Sequence, residues 1–181
     1  KEATGADSRT GVVSWSNTPS TRTAGYDGWM IEDVIGATWN GSGYALGTYT
    51  DAGGTVRADQ TYEPGSLAVW CGGVDITDKC IVSADAFAVG GVPTTKLSVS
   101  IDPAKDDGGY AQRIGEIAVT LDTKAVNYLH ENAQNHTYAN AAHLEVQKSG
   151  RAPFNAYDNA SRAFPNTFLQ KTASFEAVDG S

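Results

Sequence analysis

The chain has 181 residues, a length that suits one large domain with a substantial core, or one domain and the start of another. Its net charge of -8 and the absence of a Lys- and Arg-rich run argue against a nucleic-acid surface, because phosphate contacts need clustered basic side chains. Only 19% of the residues are charged, and the abundance of small, β-branched and aromatic residues is typical of a β-rich extracellular protein.

Alternation of apolar and polar residues with a period of two runs through most of the chain, and the helical period is scarce. With turns rich in Gly, Pro, Asn and Asp between the runs, this pattern predicts an all-β antiparallel sandwich. One stretch, 124–132, has the spacing of a helix too short to change the fold class. The predicted strands are 11–16, 28–35, 43–50, 67–71, 95–101, 114–121, 137–146 and 158–168.

Two predicted strands carry a polar side chain on a face that is otherwise apolar. Alternate side chains of a strand point to opposite sides of the sheet, so Asp33 shares its face with Ile31 and Ile35. By the same rule Asn140 shares its face with Leu144. Burying either group without a partner costs about 1 to 3 kcal/mol. The alternation therefore predicts a carboxyl and a carboxamide on core-facing positions.

The two cysteines, Cys71 and Cys80, flank a short loop in which Gly72 and Gly73 could turn the chain back on itself. This spacing predicts either a disulfide across the loop or two inert, partly buried thiols. The choice depends on the redox compartment, which the composition indicates only indirectly.

Neither the histidines nor the acidic turn of the chain has the spacing of a metal site. The histidines lack a compact ligand spacing, so we interpret them as surface residues. The acidic turn does not match a calcium-binding loop, and we interpret it as solvated. No metal and no cofactor is predicted. The histidines are His130, His136 and His143, and the acidic turn holds Asp102, Asp106 and Asp107.

The chain opens with Lys1, small residues and an acidic turn, followed by a strand that contains Trp15. A short echo of this opening begins at Lys171. We interpret residues 1–170 as one domain. We interpret residues 171–181 as a linker or as the first strand of a following repeat.

Three segments together resemble the collagen-adhesin-type, isopeptide-forming immunoglobulin-like domains of Gram-positive surface adhesins and pilins. The resemblance implies an immunoglobulin-like Greek-key β-sandwich with an internal Lys–Asn isopeptide bond, in a protein anchored to the bacterial cell wall. It does not extend to the long middle region, 41–107. The residues that carry it are Lys1 and Trp15 in the opening, Ile31, Asp33 and Ile35 in the second segment, and Tyr138, Asn140 and Ala142 in the closing one.

The resemblance implies that Lys1 and Asn140 form the cross-link and that Asp33 is the catalytic acid. Lysine attacks an amide only as the neutral amine, whereas its ordinary pKa of about 10.4 keeps it protonated at neutral pH. Burial lowers that pKa and raises the pKa of a carboxyl. A protonated Asp33 could then polarise the carboxamide and relay a proton to departing ammonia. Lys171 and Asn159 remain alternative partners.

The predicted function is a structural or adhesive surface module that performs one self-cross-linking reaction and is not an enzyme. An alternative is a ligand-binding adhesin domain that recognises a host matrix protein or a glycan through aromatic side chains of the middle region, although core filling is the preferred interpretation of those residues. They are Trp39, Tyr44, Tyr49, Tyr62 and Trp70.

A second alternative is an extracellular carbohydrate-active enzyme, which would need paired acids in a cleft that the sequence does not indicate. A Ser or Cys hydrolase is disfavoured because the chain has no Gly-x-Ser-x-Gly sequence. No apolar stretch reaches the roughly 20 residues of a membrane span, and no signal peptide opens the chain. We therefore expect a soluble fragment whose neighbouring domains, export signal and anchor lie outside it.

Overall fold

A computed structural model of the chain describes residues 1–7, 10–19, 25–126 and 136–164. These residues form β-strands joined by turns and by short 3₁₀ helices at Thr77–Lys79, Pro103–Lys105, Tyr110–Gln112 and Ile114–Glu116. None of the described helices is long and apolar enough to span a membrane. The strands are β1 (Glu2–Asp7), β2 (Val12–Asn17), β3 (Gly28–Val34), β4 (Ala37–Trp39), β5 (Tyr44–Leu46), β6 (Thr48–Thr50), β7 (Val56–Ala58), β8 (Gln60–Tyr62), β9 (Ala68–Cys71), β10 (Val74–Asp75), β11 (Cys80–Val89), β12 (Val92–Ile101), β13 (Ile117–Ala125), β14 (Thr137–Gln147) and β15 (Phe154–Ala163).

Two antiparallel sheets build the domain. The first sheet has the order β1-β2-β13-β9-β10, and β8 also pairs with β13. The second has the order β11-β12-β3-β14-β15. Two small ribbons, β4-β5 and β6-β7, complete the described strands. The predicted all-β sandwich is confirmed.

The inner faces of the two sheets share one hydrophobic core. Trp15 and Leu121 come from the first sheet, and Trp29 and Leu97 from the second, and all four are buried. Burying a large apolar side chain contributes about 1.5 to 3 kcal/mol. Because the core forms between the sheets, a polar side chain on either inner face lies in a region with little water.

A long hairpin joins β11 to β12 through Gly90 and Gly91, which have φ angles of +58° and +80°. Val89 pairs with Val92 directly across this two-residue loop. Positive φ at both central positions is the requirement of a tight type I′ connection, which glycine meets without steric cost. The loop fixes the register of β12, and β12 in turn pairs with β3 at the middle of the second sheet.

Several strand boundaries differ from the predicted ones, and the strands β1, β4, β7, β8 and β10 were not predicted. The edge strand β11 was not predicted, because most of its side chains are exposed and its alternation of apolar and polar residues is weak. The predicted helix begins inside β13, where Lys124 and Ala125 pair with β8; residues 127–132 lie outside the described ranges. The last strand begins at Phe154 and ends at Ala163, earlier than predicted.

Of the two alternatives for Cys71 and Cys80, the disulfide is not supported, because both thiols are free. Cys71 ends β9 in the first sheet, opposite Ile117 of β13. Cys80 begins β11 in the second sheet, opposite Ile101 of β12. The glycine turn after Cys71 therefore leads only into the two-residue strand β10. Burial raises the pKa of both thiols, that of Cys80 to about 11, so both resemble the inert thiols of the alternative interpretation.

A chain of buried hydrogen bonds ties the sheets together near the site. The Trp15 indole Nε1 donates to Thr123 Oγ1 at 2.8 Å, and the Thr123 hydroxyl donates to Gln60 Oε1 at 2.7 Å. Gln60 Nε2 then donates to the carbonyl of Ala139 in β14 at 2.8 Å. The network joins β2, β13 and β8 of the first sheet to β14 of the second.

Replacing Thr123→Val should destabilise the domain by about 2 to 4 kcal/mol, because two buried groups, Trp15 Nε1 and Gln60 Oε1, lose their partner at nearly constant volume. Chemical denaturation measures the effect. The matched control is Thr120→Val in the same strand, where the hydroxyl accepts from the half-buried Trp70 and water can replace it. We expect less than about 1 kcal/mol there. Equal effects of the two substitutions would contradict the network.

Candidate functional site

Asp33 is the penultimate residue of β3, the central strand of the second sheet. It pairs with Leu97 of β12 on one side and with Ala142 of β14 on the other. Its position in the alternation with Ile31 turns the carboxyl toward the core, and the residue is only 2% exposed. The strands on both sides fix the Asp33 backbone, so the carboxyl has a defined position.

Asn140 lies on the same inner face, two residues before Ala142 in β14. Since Ala142 is opposite Asp33, Asn140 is a diagonal neighbour of the carboxyl, a relation that places Cα atoms about 7 to 8 Å apart. Asn140 is 0% exposed. Neither Oδ1 nor Nδ2 of its carboxamide has a hydrogen-bond partner among the described residues. Oδ1 of Asp33 is buried and unpartnered in the same way.

Lys1 approaches this face from the first sheet. It immediately precedes β1, and the pairing of Glu2 with Ser16 brings it beside the end of β2. Its Nζ forms an ion pair with Asp33 Oδ2, and the Lys1 side chain is fully buried. The Nζ atom also lies 5.5 Å from the ring centroid of Trp15. The amine is therefore enclosed between the sheets next to the carboxyl.

Burial lowers the pKa of Lys1 below its usual value of 10.5. Removal of water from the ammonium is the largest cause, and it outweighs the opposing attraction and hydrogen bond of Asp33. The Asp158 carboxylate also opposes the shift. The direction of the shift favours the neutral amine, which is the nucleophilic form of lysine.

Asn17 is a fourth polar residue of the site and was missed by the sequence analysis. Its Oδ1 accepts from Lys1 Nζ at 3.0 Å, and its Nδ2 donates to Asp33 Oδ2 at 3.0 Å. The signal was present in the sequence, because Asn17 continues the alternation of Val13 and Trp15. The predicted strand ended one residue too early to include it.

A cavity of about 210 Å³ lies against this group of side chains. Its wall includes Lys1, Asn17, Leu144 and Ala156, and Asp158 is the one carboxylate residue in its lining. The cavity is large enough to hold a molecule of the size of ammonia beside Lys1. With one acid in its wall, this cavity does not have the two carboxylates that a glycosidase cleft requires.

Asn159, the alternative carboxamide, is placed differently from Asn140. Asn159 is exposed on β15, and its carboxamide is already bonded at both ends, to the Trp39 backbone nitrogen at 2.7 Å and the Trp39 carbonyl at 2.9 Å. Lys171 lies outside the described residues.

The interpretation of the histidines as surface residues is wrong for His143, which is only 7% exposed. Its Nδ1 bonds Glu32 at 2.8 Å and its Nε2 bonds Asn155 at 2.7 Å, on the outer face of the second sheet. His136 is half-buried and pairs with the buried Asp59 at 2.5 Å. His130 lies outside the described ranges.

The acidic turn uses its carboxylates within the protein. Asp102 accepts from the Ala104 backbone nitrogen at 3.0 Å and thereby caps a 3₁₀ helix. Asp106 accepts from the backbone nitrogen of Tyr110 at 2.5 Å, and Asp107 pairs with Lys79 at 2.8 Å. No group of three or more metal-ligating side chains was found in the described part of the chain.

The aromatic residues of the middle region are half-buried and do not form the centre of the core. Trp39 stacks on Tyr157 at a centroid distance of 3.9 Å, and Tyr157 stacks on His143 at 4.4 Å. Tyr44 meets Trp39 edge-on at 5.1 Å. These rings cover the outer face of the second sheet, whereas Tyr62 packs against the core.

No protein-family model matches the chain, and no curated protein matches its sequence. Among solved structures, the chain is similar to ACE19, the collagen binding subdomain of the Enterococcus faecalis surface protein ACE, with a TM-score of 0.45 and 9% identity over 88% of this chain and 90% of that one.

A structure of the Enterococcus faecalis MSCRAMM ACE, described as binding its ligands by the collagen Hug model, has a TM-score of 0.44 and 8% identity over 88% of this chain and 47% of that one. The Corynebacterium diphtheriae major pilin SpaA, described with stabilizing isopeptide bonds, has a TM-score of 0.38 and 15% identity over 78% of this chain and 27% of that one. Values this low establish no relationship, so the function is argued from the chain's own residues.

The lowered pKa of Lys1 predicts a pH-dependent stability in Asn140→Ala, a variant in which the amine stays free. Between the folded-state pKa and the usual value of 10.5, the unfolded chain binds more protons than the folded one, so the free energy of unfolding rises with pH. Below the folded-state and unfolded-state pKa values of Lys1, its contribution to the free energy of unfolding does not change with pH. Denaturation at several alkaline pH values measures the slope.

The control for this slope is the double variant Lys1→Met, Asn140→Ala, which keeps the volume of the side chain and removes the titrating group. Raised pKa values of Tyr44 and Tyr138 affect both proteins alike. The slope should be smaller in the double variant, and identical slopes would contradict the assignment to Lys1.

Proposed function

We propose that the chain is a structural or adhesive module of a bacterial surface protein and that it cross-links itself once, through an isopeptide bond between Lys1 and Asn140 with Asp33 as the acid. One observation carries the proposal: the Asn140 carboxamide is fully buried, has no hydrogen-bond partner among the described residues, and is a diagonal neighbour of a carboxyl that pairs with a buried amine.

An unpartnered buried carboxamide is unusual, because nearly all buried polar groups in proteins are hydrogen-bonded. Leaving such a group unpaired costs about 1 to 3 kcal/mol. A structural asparagine at this position would be expected to find a partner. A reacting carboxamide has a different requirement, since its carbon must be open to a nucleophile and its nitrogen must leave.

In the reactive form, Lys1 is a neutral amine and Asp33 a neutral acid, a state with the same number of protons as the ion pair. The Nζ lone pair attacks Cγ of Asn140, the Nζ–Cγ bond forms, and the carbonyl electron pair moves to Oδ1. Asp33 Oδ1, buried and unpartnered, is the oxygen that donates its proton to this developing oxyanion.

Collapse of the tetrahedral intermediate completes the reaction. Asp33, now a carboxylate, takes a proton from Nζ and delivers it to Nδ2. The Cγ–Nδ2 bond then breaks and ammonia leaves, while the carbonyl reforms and returns its Oδ1 proton to Asp33. The products are one secondary amide, one ammonia and a protonated Asp33, and no other reactant is consumed. The cavity beside Lys1 offers the ammonia a route out.

The two sheets supply the rate advantage. Lys1 immediately precedes β1 at the edge of the first sheet, and Asn140 belongs to an inner strand of the second, so folding itself would bring the reactants together. Well-oriented intramolecular reactions reach effective concentrations of about 10⁵ M or more. The surrounding core keeps water away from the amine, which maintains its neutral form.

The proposed bond would link the start of the domain to a late strand. Pulling force applied along the chain would then pass through the covalent bond and bypass most of the sandwich. The effect on the unfolded chain would resemble that of a disulfide closing a long loop, which contributes about 4 to 5 kcal/mol.

The surroundings of the module are also part of the proposal. An immunoglobulin-like topology, cell-wall anchoring, neighbouring domains and a host matrix protein or glycan as partner are what the family resemblance implies. Binding of the isolated chain to immobilised matrix proteins would favour a ligand-binding adhesin, and lack of binding would favour a stalk module.

We expect the intact mass of the protein to be lower than calculated by one ammonia, and the full mass to return in Lys1→Ala, Asp33→Ala and Asn140→Ala, because each removes one reactant. Mass spectrometry of the purified proteins measures this, and a branched peptide that joins Lys1 to Asn140 should appear after digestion.

Two controls accompany the mass measurement. Asn159→Ala and Lys171→Ala remove the alternative partners and should keep the loss. Asn40 precedes Gly41, a pair that can also lose ammonia by forming a succinimide, but that reaction needs no lysine and persists in Lys1→Ala. Wild-type protein at full mass would refute the proposed bond.

Asn140→Leu distinguishes a reacting residue from a structural one by the sign of its effect. If Asn140 only occupies the core, replacing two unpaired polar atoms by an apolar group of similar size should stabilise the protein. With the bond present, we expect a loss of about 4 to 5 kcal/mol and a melting temperature lower by roughly 10 to 20 °C. Calorimetry measures the change, and an increase in melting temperature would argue for the structural role.

A further inference from the structure

We propose that Asn17 is a positioning residue of the cross-linking reaction: it orients the Lys1 amine and keeps the Asp33 proton on the oxygen that faces away from Lys1. This inference rests on the proposed function and assigns a role to a residue that the family resemblance does not include. Its basis is that Asn17 contacts both reacting partners at once, at 3.0 Å each.

The orientation of the Asn17 carboxamide follows from its neighbours. An ammonium or amine faces Oδ1 and a carboxylate oxygen faces Nδ2, so the flipped amide would oppose donor to donor and acceptor to acceptor. Asn17 is itself only 3% exposed, and water cannot readily replace these bonds. The arrangement therefore has one favourable orientation.

The first consequence concerns the amine. A neutral lysine amine has two N–H groups and one lone pair. One N–H points to Asn17 Oδ1 and the other to Asp33 Oδ2, which are the two contacts observed. Both donors are then in use, and the lone pair is the remaining direction on Nζ. Asn17 thereby aims the lone pair away from both acceptors and leaves it available for the carbonyl carbon of Asn140.

The second consequence concerns the acid. Asp33 Oδ2 receives N–H groups from both Lys1 and Asn17, whereas Oδ1 has no partner among the described residues. An oxygen that accepts two donors is the unfavourable place for a proton, so the neutral acid carries its proton on Oδ1. That is the oxygen which the proposed reaction needs as a donor to the Asn140 carbonyl.

Asn17 as the cross-linked residue is the competing interpretation, since its carboxamide is also near Nζ. The contact argues against it. Nζ meets Asn17 at the oxygen in a hydrogen bond, whereas attack requires approach to Cγ from above the amide plane. Asn17 also has two bonds to lose on condensation, and Asn140 has none among the described residues.

The experiment follows cross-linking in time. The chain and its variants are made by cell-free synthesis, samples are quenched at intervals, and the fraction that has lost ammonia is read from the intact mass. Asn17→Leu should slow the reaction about tenfold or more, the equivalent of one or two lost hydrogen bonds. Ser16→Ala, at the buried neighbouring position of β2, is the matched control and should react at the wild-type rate.

Asn17→Asp tests the role independently of folding defects, because it keeps the shape and the oxygen that accepts from Lys1. Ionised, it cannot donate to Asp33 and adds a negative charge beside Lys1, Asp33 and Asp158, so cross-linking should be slow near neutral pH. Protonation restores a donor, so its rate should rise as the pH is lowered from about 8 to about 5. The wild-type rate should stay level or fall over this range, because acid protonates the Lys1 amine.

The outcomes separate the two proposals. Wild-type protein that never loses ammonia refutes the cross-link and this inference together. The positioning role alone is refuted if the wild type reacts and the Asn17 variants react at the same rate. It is also refuted if the Asn17 variants react more slowly but with the pH dependence of the wild type. Ammonia loss that persists in Asn140→Ala and disappears in Asn17→Asp would identify Asn17 as the cross-linked residue.

Discussion

A buried ion pair between the two sheets is the constraint on which the site depends. Lys1 and Asp33 come from different sheets, and both side chains are almost completely removed from water. Desolvation of two such charges is expensive, and their attraction compensates only when the geometry is good and further hydrogen bonds are present. Asn17 supplies one such bond to each partner. The sandwich must therefore be closed before this pair is stable, and the pair in turn fixes how the first strand meets the second sheet.

This dependence gives the proposed chemistry its timing. The amine lies at the edge of the first sheet, and the carboxyl and carboxamide lie on neighbouring strands of the second. In an unfolded chain Lys1 is solvated and protonated, and its ordinary pKa holds it unreactive at neutral pH. Burial lowers that pKa only when the sheets have come together. The cross-link would consequently form only in the folded chain, and an unfolded or misfolded chain would remain without it.

The sequence predicted the fold class and the two buried polar positions of the second sheet, because alternation in Ile31–Ile35 and around Asn140 is a local property. It could not predict which strands are neighbours, and that is where the errors lie. Cys71 and Cys80 are close in sequence but belong to different sheets. The local sequence indicates a surface position for His143, but the ring of Tyr157 from β15 and the β4-β5 ribbon cover it. Burial by a distant segment leaves no local signal.

A second buried acid, Asp59, indicates what would distinguish the proposed reactive site from a structural one. Burial raises the pKa of Asp59, and Asp59, like Asp33, is in contact with a basic partner, here His136. A carboxamide lies beside it too, but both ends of the Gln60 amide are bonded, to Thr123 and to the Ala139 carbonyl. Condensation there would break two good hydrogen bonds, and an imidazole forms no stable amide.

Asn140 presents the opposite case. Its carboxamide has no bonds to lose among the described residues, and the base beside the acid is a primary amine, whose product with a carboxamide carbon is as stable as a peptide bond. A buried acid with a basic partner is thus not sufficient for the proposed chemistry. The deciding property would be an electrophile that has no hydrogen bonds in the folded ground state. Hydrogen bonds that form only in the transition state then lower the barrier to reaction.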